Sequence, residues 1–371
     1  MKGIQGLNNS CYIDASVFCM FAFNSTFDSA LHKNNGGKKT GDDDDLLFIK
    51  VKMQKCLRDS IVNPLRRDFF VSADKVATLR SLLDQSLTGQ RFLFEEKDPE
   101  EFMNAVLEDM LNVDPFLKFN TGHESHIHQL FIDKDNLDID LTLTSVQQLI
   151  EISFFQSTLK LTQKPACLML QMPRHGKEFK MFDVIIPSLF IDVTDLLQYG
   201  IRECTICGEM GVFECSHCFH SHKTLSSIVF CQACSKQYHS HNKRSHHQPQ
   251  SIKTLFINST PNASSTEKME LFAVMCVDVN HFVSFVKTGS HADSPWIYFD
   301  SMVNRKVADN VLIPSIRVCS FLPGLLTTSE SKLKSTCLAI KSGETDNELM
   351  KRFLSDAYIC MYRSTELMFY K

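Results

Sequence analysis

Six of the fourteen cysteines fall between Cys204 and Cys234, and all six form C-x-x-C pairs: Cys204 with Cys207, Cys215 with Cys218, and Cys231 with Cys234. Two intervening residues let both sulfurs of one turn reach a single ion. His239 and His247 follow closely. Thiolates and imidazoles at these spacings suit tetrahedral Zn²⁺, and eight ligands make two closed four-ligand sites. Pairing in such double sites is commonly interleaved. Cys204, Cys207, Cys231 and Cys234 are therefore expected on one ion, and Cys215, Cys218, His239 and His247 on the other. His241 and His246 compete for the last positions, while His217, His220 and His222 are expected to face solvent. Closed sites hold structure rather than perform chemistry, so residues 204–247 are expected to form an inserted module that docks partners.

This arrangement bounds the rest of the chain. The other eight cysteines are scattered through apolar segments. A disulfide framework belongs to small secreted domains. Paired C-x-x-C in 371 residues without a signal peptide points to metal binding in a reducing compartment, and so to a cytoplasmic placement. Val17 to Phe23 has the apolarity of a signal core. Only Lys2 precedes it as a basic residue and no small-residue cleavage site follows closely, so it is read as helix. No apolar run approaches the roughly 18 residues of a membrane span. A net charge of -4 gives no reason to expect nucleic acid or an anionic membrane as partner.

Periodicity divides the chain into helices first and strands later. Helix is expected over 12–31, entered through Gly3 to Tyr12 with Asn9 or Ser10 as N-cap. Asn34 to Asp45 reads as a loop whose four aspartates are solvated. Leu46 to Leu57 reads as a second helix, broken at Asn63-Pro64. Ser72 opens a third, with Val76, Leu79, Leu82 and Leu83 on one face. Asp98-Pro99-Glu100-Glu101 is a helix start, with Asp98 as cap and Glu101 closing a capping box. Phe102, Val106, Leu107 and Met110 follow as its buried face, with Met103 beside it. A further helix starts at Ser145. Strands are expected at 166–172, 179–186, 189–193, 271–277, 281–287, 296–300 and 357–362, with a linker at 259–267 and one more helix before the last strand. The order implies an α+β fold with a mostly antiparallel sheet and the metal module inserted between strands.

Three residues form a candidate catalytic set. Cys11 sits where the loop meets the first helix, and unpaired N–H groups there favour a thiolate. His281 begins an apolar strand beside a turn, and Asp300 closes another. Together they supply nucleophile, base and orienter of a cysteine hydrolase. Spacing alone carries this weakly, because the order of such residues does not transfer between families.

The motifs add to it. Gly3 to Ser16 (GIQGLNNSCYIDAS) resembles the cysteine box of the ubiquitin-specific proteases, and HFVSFVK with WIYFDSM resembles their histidine box. Glu96 to Phe102 is similar to the family segment that follows the cysteine box, and Asp356 to Tyr362 to its closing strand. EEKDPEEF, QMPRHGKEFKMF and the double-zinc segment narrow the resemblance within the family. The resemblance spans about Gly3 to Lys371. It implies one catalytic domain over 1–371, papain-like with thumb, palm and fingers, carrying a B-box-like zinc module at 204–247. It implies hydrolysis of the bond after the ubiquitin C-terminal Gly-Gly, on linear chains and on the lysine-linked chains of non-degradative signalling. By motif, Cys11 is the nucleophile, His281 the base and Asp300 its orienter. Ubiquitin and polyubiquitin are the implied partners, with two structural Zn²⁺ ions. Two departures stand out. Many relatives carry asparagine five residues before the cysteine, where it binds the oxyanion; Gly6 stands there, leaving backbone N–H groups and Asn9 as candidates. The usual aromatic after Arg174 is His175. The other readings are an inactive ubiquitin-binding scaffold and a protease for a ubiquitin-like modifier.

Overall fold

The computed structural model describes residues 2–7, 9–33, 44–86, 92, 95–133, 143–175, 179–222, 224–252, 266–302 and 314–365. The 259–265 part of the expected linker and the 34–43 part of the expected acidic loop lie outside these.

The first helix, α1 (Cys11–Phe21), is buried at every position. That explains why its apolar residues are not confined to a stripe: a helix enclosed on all sides has no polar face to spare. Ser10 takes the N-cap position, but its hydroxyl makes no capping bond. It accepts the Leu7 N–H and donates to Asp14 instead.

The break expected at Asn63-Pro64 does not occur. Asp44–Lys55 is α-helical, Cys56–Val62 continues as a π-helix, and Asn63–Asp68 resumes the α-helix with Pro64 in its first turn. Hydrogen bonds of the i→i+5 type widen the turn ahead of Pro64, which relieves the clash of its ring with the preceding carbonyl. The stretch stops at Phe69, whose φ is 53°. The helix also begins at Asp44, inside the segment expected to be loop.

Ala73–Ser86 is helical, with Val76, Leu79 and Leu83 buried. At Pro99–Asn104 the Asp98 cap is present, its carboxylate accepting the Glu100 N–H at 2.9 Å. The capping box is not: Glu101 pairs with Lys97 at 3.3 Å. An i,i+4 ion pair competes for the same carboxylate. A complete box does form at Ser145 and Gln148, opening the helix Val146–Gln156.

Among the described residues eight strands form the central sheet: β1 (Ile127–Gln129), β2 (Cys167–Gln171), β3 (Phe190–Asp192), β4 (Lys268–Asp278), β5 (His281–Lys287), β6 (Trp296–Asp300), β7 (Ser315–Val318) and β8 (Ala357–Ser364). The order is β7-β6-β5-β4-β8-β2-β1, with β3 paired to the start of β4. Every pairing is antiparallel except β1 with β2. The α+β expectation is met. The cysteine-rich segment lies between β3 and β4, which are hydrogen-bonded neighbours, so it is an excursion from one end of the sheet. Among the described residues three helices lie between β7 and β8, where one was expected: Phe321–Leu326, Glu330–Lys341 and Glu348–Ser355.

Two apolar clusters cover the two faces of the sheet. Odd and even residues of one strand serve different clusters, as in β4, where Ala273 and Met275 join one and Val274 and Cys276 the other. Within the sheet Glu270 on β4 pairs with Lys287 on β5, and with Arg363 on β8 at 2.9 Å, all three side chains buried. The cationic partners on both neighbouring strands, with their hydrogen bonds, compensate a charge removed from water.

Candidate active site and metal centres

A two-residue turn, Val279-Asn280, joins β4 to β5, because Asp278 and His281 face each other across the ladder. Both turn residues have positive φ, 43° and 64°. That is the type I′ geometry matched to strand twist. A β-branched residue rarely adopts it, so Val279 stores backbone strain beside His281. Arg352 holds the turn from the helix Glu348–Ser355, donating to the Asp278 carboxylate at 3.4 Å and to the His281 carbonyl at 3.3 Å.

His281 Nε2 lies 2.8 Å from Asp300 Oδ1. With the carboxylate as acceptor, Nε2 carries the proton and Nδ1 is left as the free nitrogen. Nδ1 is buried and makes no hydrogen bond among the described residues. Asp300, 8% exposed, is itself held: its oxygens accept the Met302 N–H at 2.9 Å and the Tyr298 hydroxyl at 3.2 Å. Tyr298 precedes Asp300 by two on the same strand face.

α1 crosses the strands that carry these residues. Phe18 stacks on Phe299 at 4.2 Å, and the Ser284 hydroxyl donates to the Ala15 carbonyl at 3.0 Å. This packing places Cys11, at the first position of α1, against the turn, with Sγ 3.8 Å from the Asn280 carbonyl oxygen. Burial works against a charged His281, but the hydrogen bond to Asp300 and the nearness of the Cys11 sulfur outweigh it, and the pKa rises to about 9. Burial likewise opposes the Asp300 carboxylate, yet His281 and the Met302 and Tyr298 donors hold its pKa below the ordinary value. The structure thus brings Cys11, His281 and Asp300 together. The imidazole stands beside the thiol as a candidate proton acceptor, and the carboxylate keeps the ring oriented.

The helix geometry leaves the first N–H groups of α1 without intrahelical partners, since the first such bonds run from Ile13 and Asp14 to the Ser10 carbonyl. Asn9 is exposed, with a left-handed φ of 59°. Gly6 is pressed against the turn that follows Asp300. A Cβ there would meet Met302 Cγ at 2.9 Å and the Ser301 carbonyl oxygen at 3.0 Å. The close approach explains why no side chain stands at position 6. His175 lies in a two-residue strand with Arg174.

The cysteine-rich segment gathers two ligand sets. The donor atoms of Cys204, Cys207, Cys231 and Cys234 all lie within 4.8 Å of one another, and so do those of Cys215, Cys218, His239 and His247. The interleaved pairing and the choice of His239 and His247 over His241 and His246 match the expected sets. A tetrahedral ion with Zn–S near 2.3 Å and Zn–N near 2.05 Å separates two sulfurs by about 3.8 Å and sulfur from nitrogen by about 3.6 Å. The separations here are 3.7 Å for Cys207–Cys231 and 3.4–3.7 Å for the sulfur–nitrogen pairs of the second set. The donors therefore fit such an ion. His239 Nδ1 bonds the Ser235 carbonyl at 2.8 Å, which turns Nε2 toward the sulfurs. His217 is exposed as expected but stacks on His247 at 5.1 Å; the side chains of His220 and His222 lie outside the described residues.

Sequence reasoning missed Tyr298, Arg352 and Ser301 as supports of this site. Only Tyr298 left a signal, its two-residue spacing from Asp300.

The family model described as "Ubiquitin carboxyl-terminal hydrolase" matches residues 2–362, and the chain belongs to that family, as the cysteine and histidine boxes led us to expect. It is 37% identical over 383 residues to the Ubiquitin carboxyl-terminal hydrolase CYLD of Mus musculus and of Homo sapiens, and 37% over 385 residues to that of Rattus norvegicus. Each alignment covers 100% of this chain but only 38% of the relative. Among the described residues no helix is long and apolar enough to cross a membrane.

Proposed function

We propose that this chain is a cysteine deubiquitinase in which Cys11 is the nucleophile, His281 the general base and acid, and Asp300 its orienter. The observation that carries the reading is the His281–Asp300 bond of 2.8 Å beside a cysteine at the head of a buried helix. The Cys11 thiolate attacks the carbonyl of the ubiquitin C-terminal glycine. The oxyanion that forms is met by N–H groups at the start of α1, with Asn9 as a side-chain candidate. The His281 imidazolium then gives its proton to the departing amine, and a thioester remains. His281 next takes a proton from water, the hydroxide displaces the thiolate, and ubiquitin leaves with a free carboxylate.

The fold is read as papain-like, with thumb, palm and fingers in one catalytic domain over 1–371. The segment 204–247 is read as a B-box-like module. Cys204, Cys207, Cys231 and Cys234 would hold one Zn²⁺, and Cys215, Cys218, His239 and His247 the other. Four-ligand closure leaves these ions to supply folding energy. The substrates proposed are linear chains and the lysine-linked chains of non-degradative signalling, with further protein partners at the zinc module and a cytoplasmic location. The names of the relatives and the family match support the ubiquitin substrate.

The test is cleavage of a di-ubiquitin linkage panel by wild type and Cys11→Ala. Hydrolysis of the linear and signalling-type dimers by wild type alone is expected. Equal rates for the two proteins would sink the reading. Binding without cleavage would favour a scaffold, and cleavage of only a ubiquitin-like modifier would favour the other protease.

A further inference from the structure

Behind Cys11 lies a buried carboxyl that the chemistry above does not use. Asp14 follows Cys11 by one turn of α1 and is fully buried. Its Oδ2 accepts the Ser10 hydroxyl at 2.7 Å, and the Ser10 oxygen accepts the Leu7 N–H at 2.9 Å. A side chain on the helix thereby grips the loop that enters it. The other carboxyl oxygen, Oδ1, is buried and makes no hydrogen bond among the described residues, and the same holds for the Ser301 hydroxyl, whose nearness favours the ionised Asp14. An unpartnered buried acceptor and an unpartnered buried hydroxyl therefore neighbour each other. Ser301 follows Asp300 directly, and its carbonyl accepts the Gly6 N–H at 3.3 Å. The loop before Cys11 and the turn after Asp300 therefore meet at two places, the backbone of Gly6 and the side chain of Asp14.

We propose that Asp14 is a positioning residue: through Ser10 and Ser301 it fixes the loop before α1 to the turn after Asp300, so that the oxyanion donors and the orienting carboxylate keep their mutual placement. The proposal rests on the deubiquitinase reading. Arg80, reaching in from the helix Ala73–Ser86, and His281 are the charged groups that act on Asp14 from other elements. Burial pushes its pKa up to about 7. Both the neutral and the ionised carboxyl accept from Ser10, so the clamp does not depend on a single charge state. An asparagine at this position keeps the acceptor for Ser10 and offers an amide to Ser301.

Steady-state kinetics on a ubiquitin substrate, with alkylation of Cys11 by iodoacetamide, test this in Asp14→Asn, Asp14→Ala and Ser10→Ala. We expect Asp14→Ala and Ser10→Ala to lower kcat by about 10–100-fold with KM within about twofold, and Asp14→Asn to stay within about threefold of wild type. Alkylation, which needs no oxyanion site, should run at the wild-type rate in all three. The proposal is overturned if Asp14→Asn is as slow as Asp14→Ala, if both truncations keep wild-type kcat, or if alkylation falls in step with kcat. If Asp14→Ala does not fold, a slow Ser10→Ala beside a normal Asp14→Asn supports the clamp, and a normal Ser10→Ala overturns it. A wild type alkylated at Cys11 that turns over no ubiquitin substrate overturns the deubiquitinase reading, and with it the role given to Asp14.

Discussion

At the scale of single residues the decisive quantity is the charge of His281. Its pKa is raised to about 9, so its interactions with Asp300 and Cys11 are complete below the ordinary value near 6.5 and are lost as pH rises through about 9. If the imidazolium is the proton donor to the leaving amine, kcat/KM should hold through neutral pH and fall on the alkaline side near 9. Asp300→Asn removes the largest contribution favouring the imidazolium and leaves the burial that opposes it. The alkaline limb should then move down by more than one pH unit, with kcat reduced by about 10²-fold or more. A pH–rate profile on a fluorogenic ubiquitin amide checks this, and an unmoved limb would count against the assigned role. Cys11, His281 and Asp300 were legible because each sits at an element boundary inside a recognisable motif. Gly6 was legible only as a departure. Its reason, close approach to Ser301 and Met302, depends on a turn nearly 300 residues away and leaves no local trace.

At the scale of elements, signals that act within a few residues were readable. The C-x-x-C pairs marked the two candidate ligand sets, whose interleaved grouping the structure displays. The Ser145 start was readable because cap and box are local. The Asn63-Pro64 break failed because a π-helical segment, which no short-range rule announces, absorbed the proline. The Glu101 box failed because Lys97 competes for the same side chain. The module is fastened to the helix Val146–Gln156, where Phe155 stacks on Phe219 at 3.9 Å and Glu151 accepts the Leu225 N–H at 2.9 Å. Neither contact touches the strands that bear His281 and Asp300. Metal analysis of freshly purified protein, never exposed to chelator, should find about two Zn²⁺ per chain. Stripping them should expose the 204–247 segment to protease while Cys11 alkylation continues at its former rate. A metal content near zero would refute the ligand sets.

At the scale of the whole molecule, the α+β class and the antiparallel character of the sheet followed from the order of apolar runs. Strand order did not, because the pairing of β4 with β8 and of β8 with β2 joins segments far apart in sequence. That topology is what matters for function. It sets β5 and β6 side by side, lays α1 across them, and so delivers three residues from distant parts of the chain to one place. The central claim is the proposal that Cys11 Sγ is the atom that attacks the ubiquitin C-terminal carbonyl carbon. The most direct measurement is the intact mass of the protein after reaction with ubiquitin bearing a C-terminal electrophile, on wild type and Cys11→Ala. We predict one covalent adduct on wild type, mapped to Cys11, and none on Cys11→Ala. A wild type left unmodified, or an adduct that persists without Cys11, would contradict it.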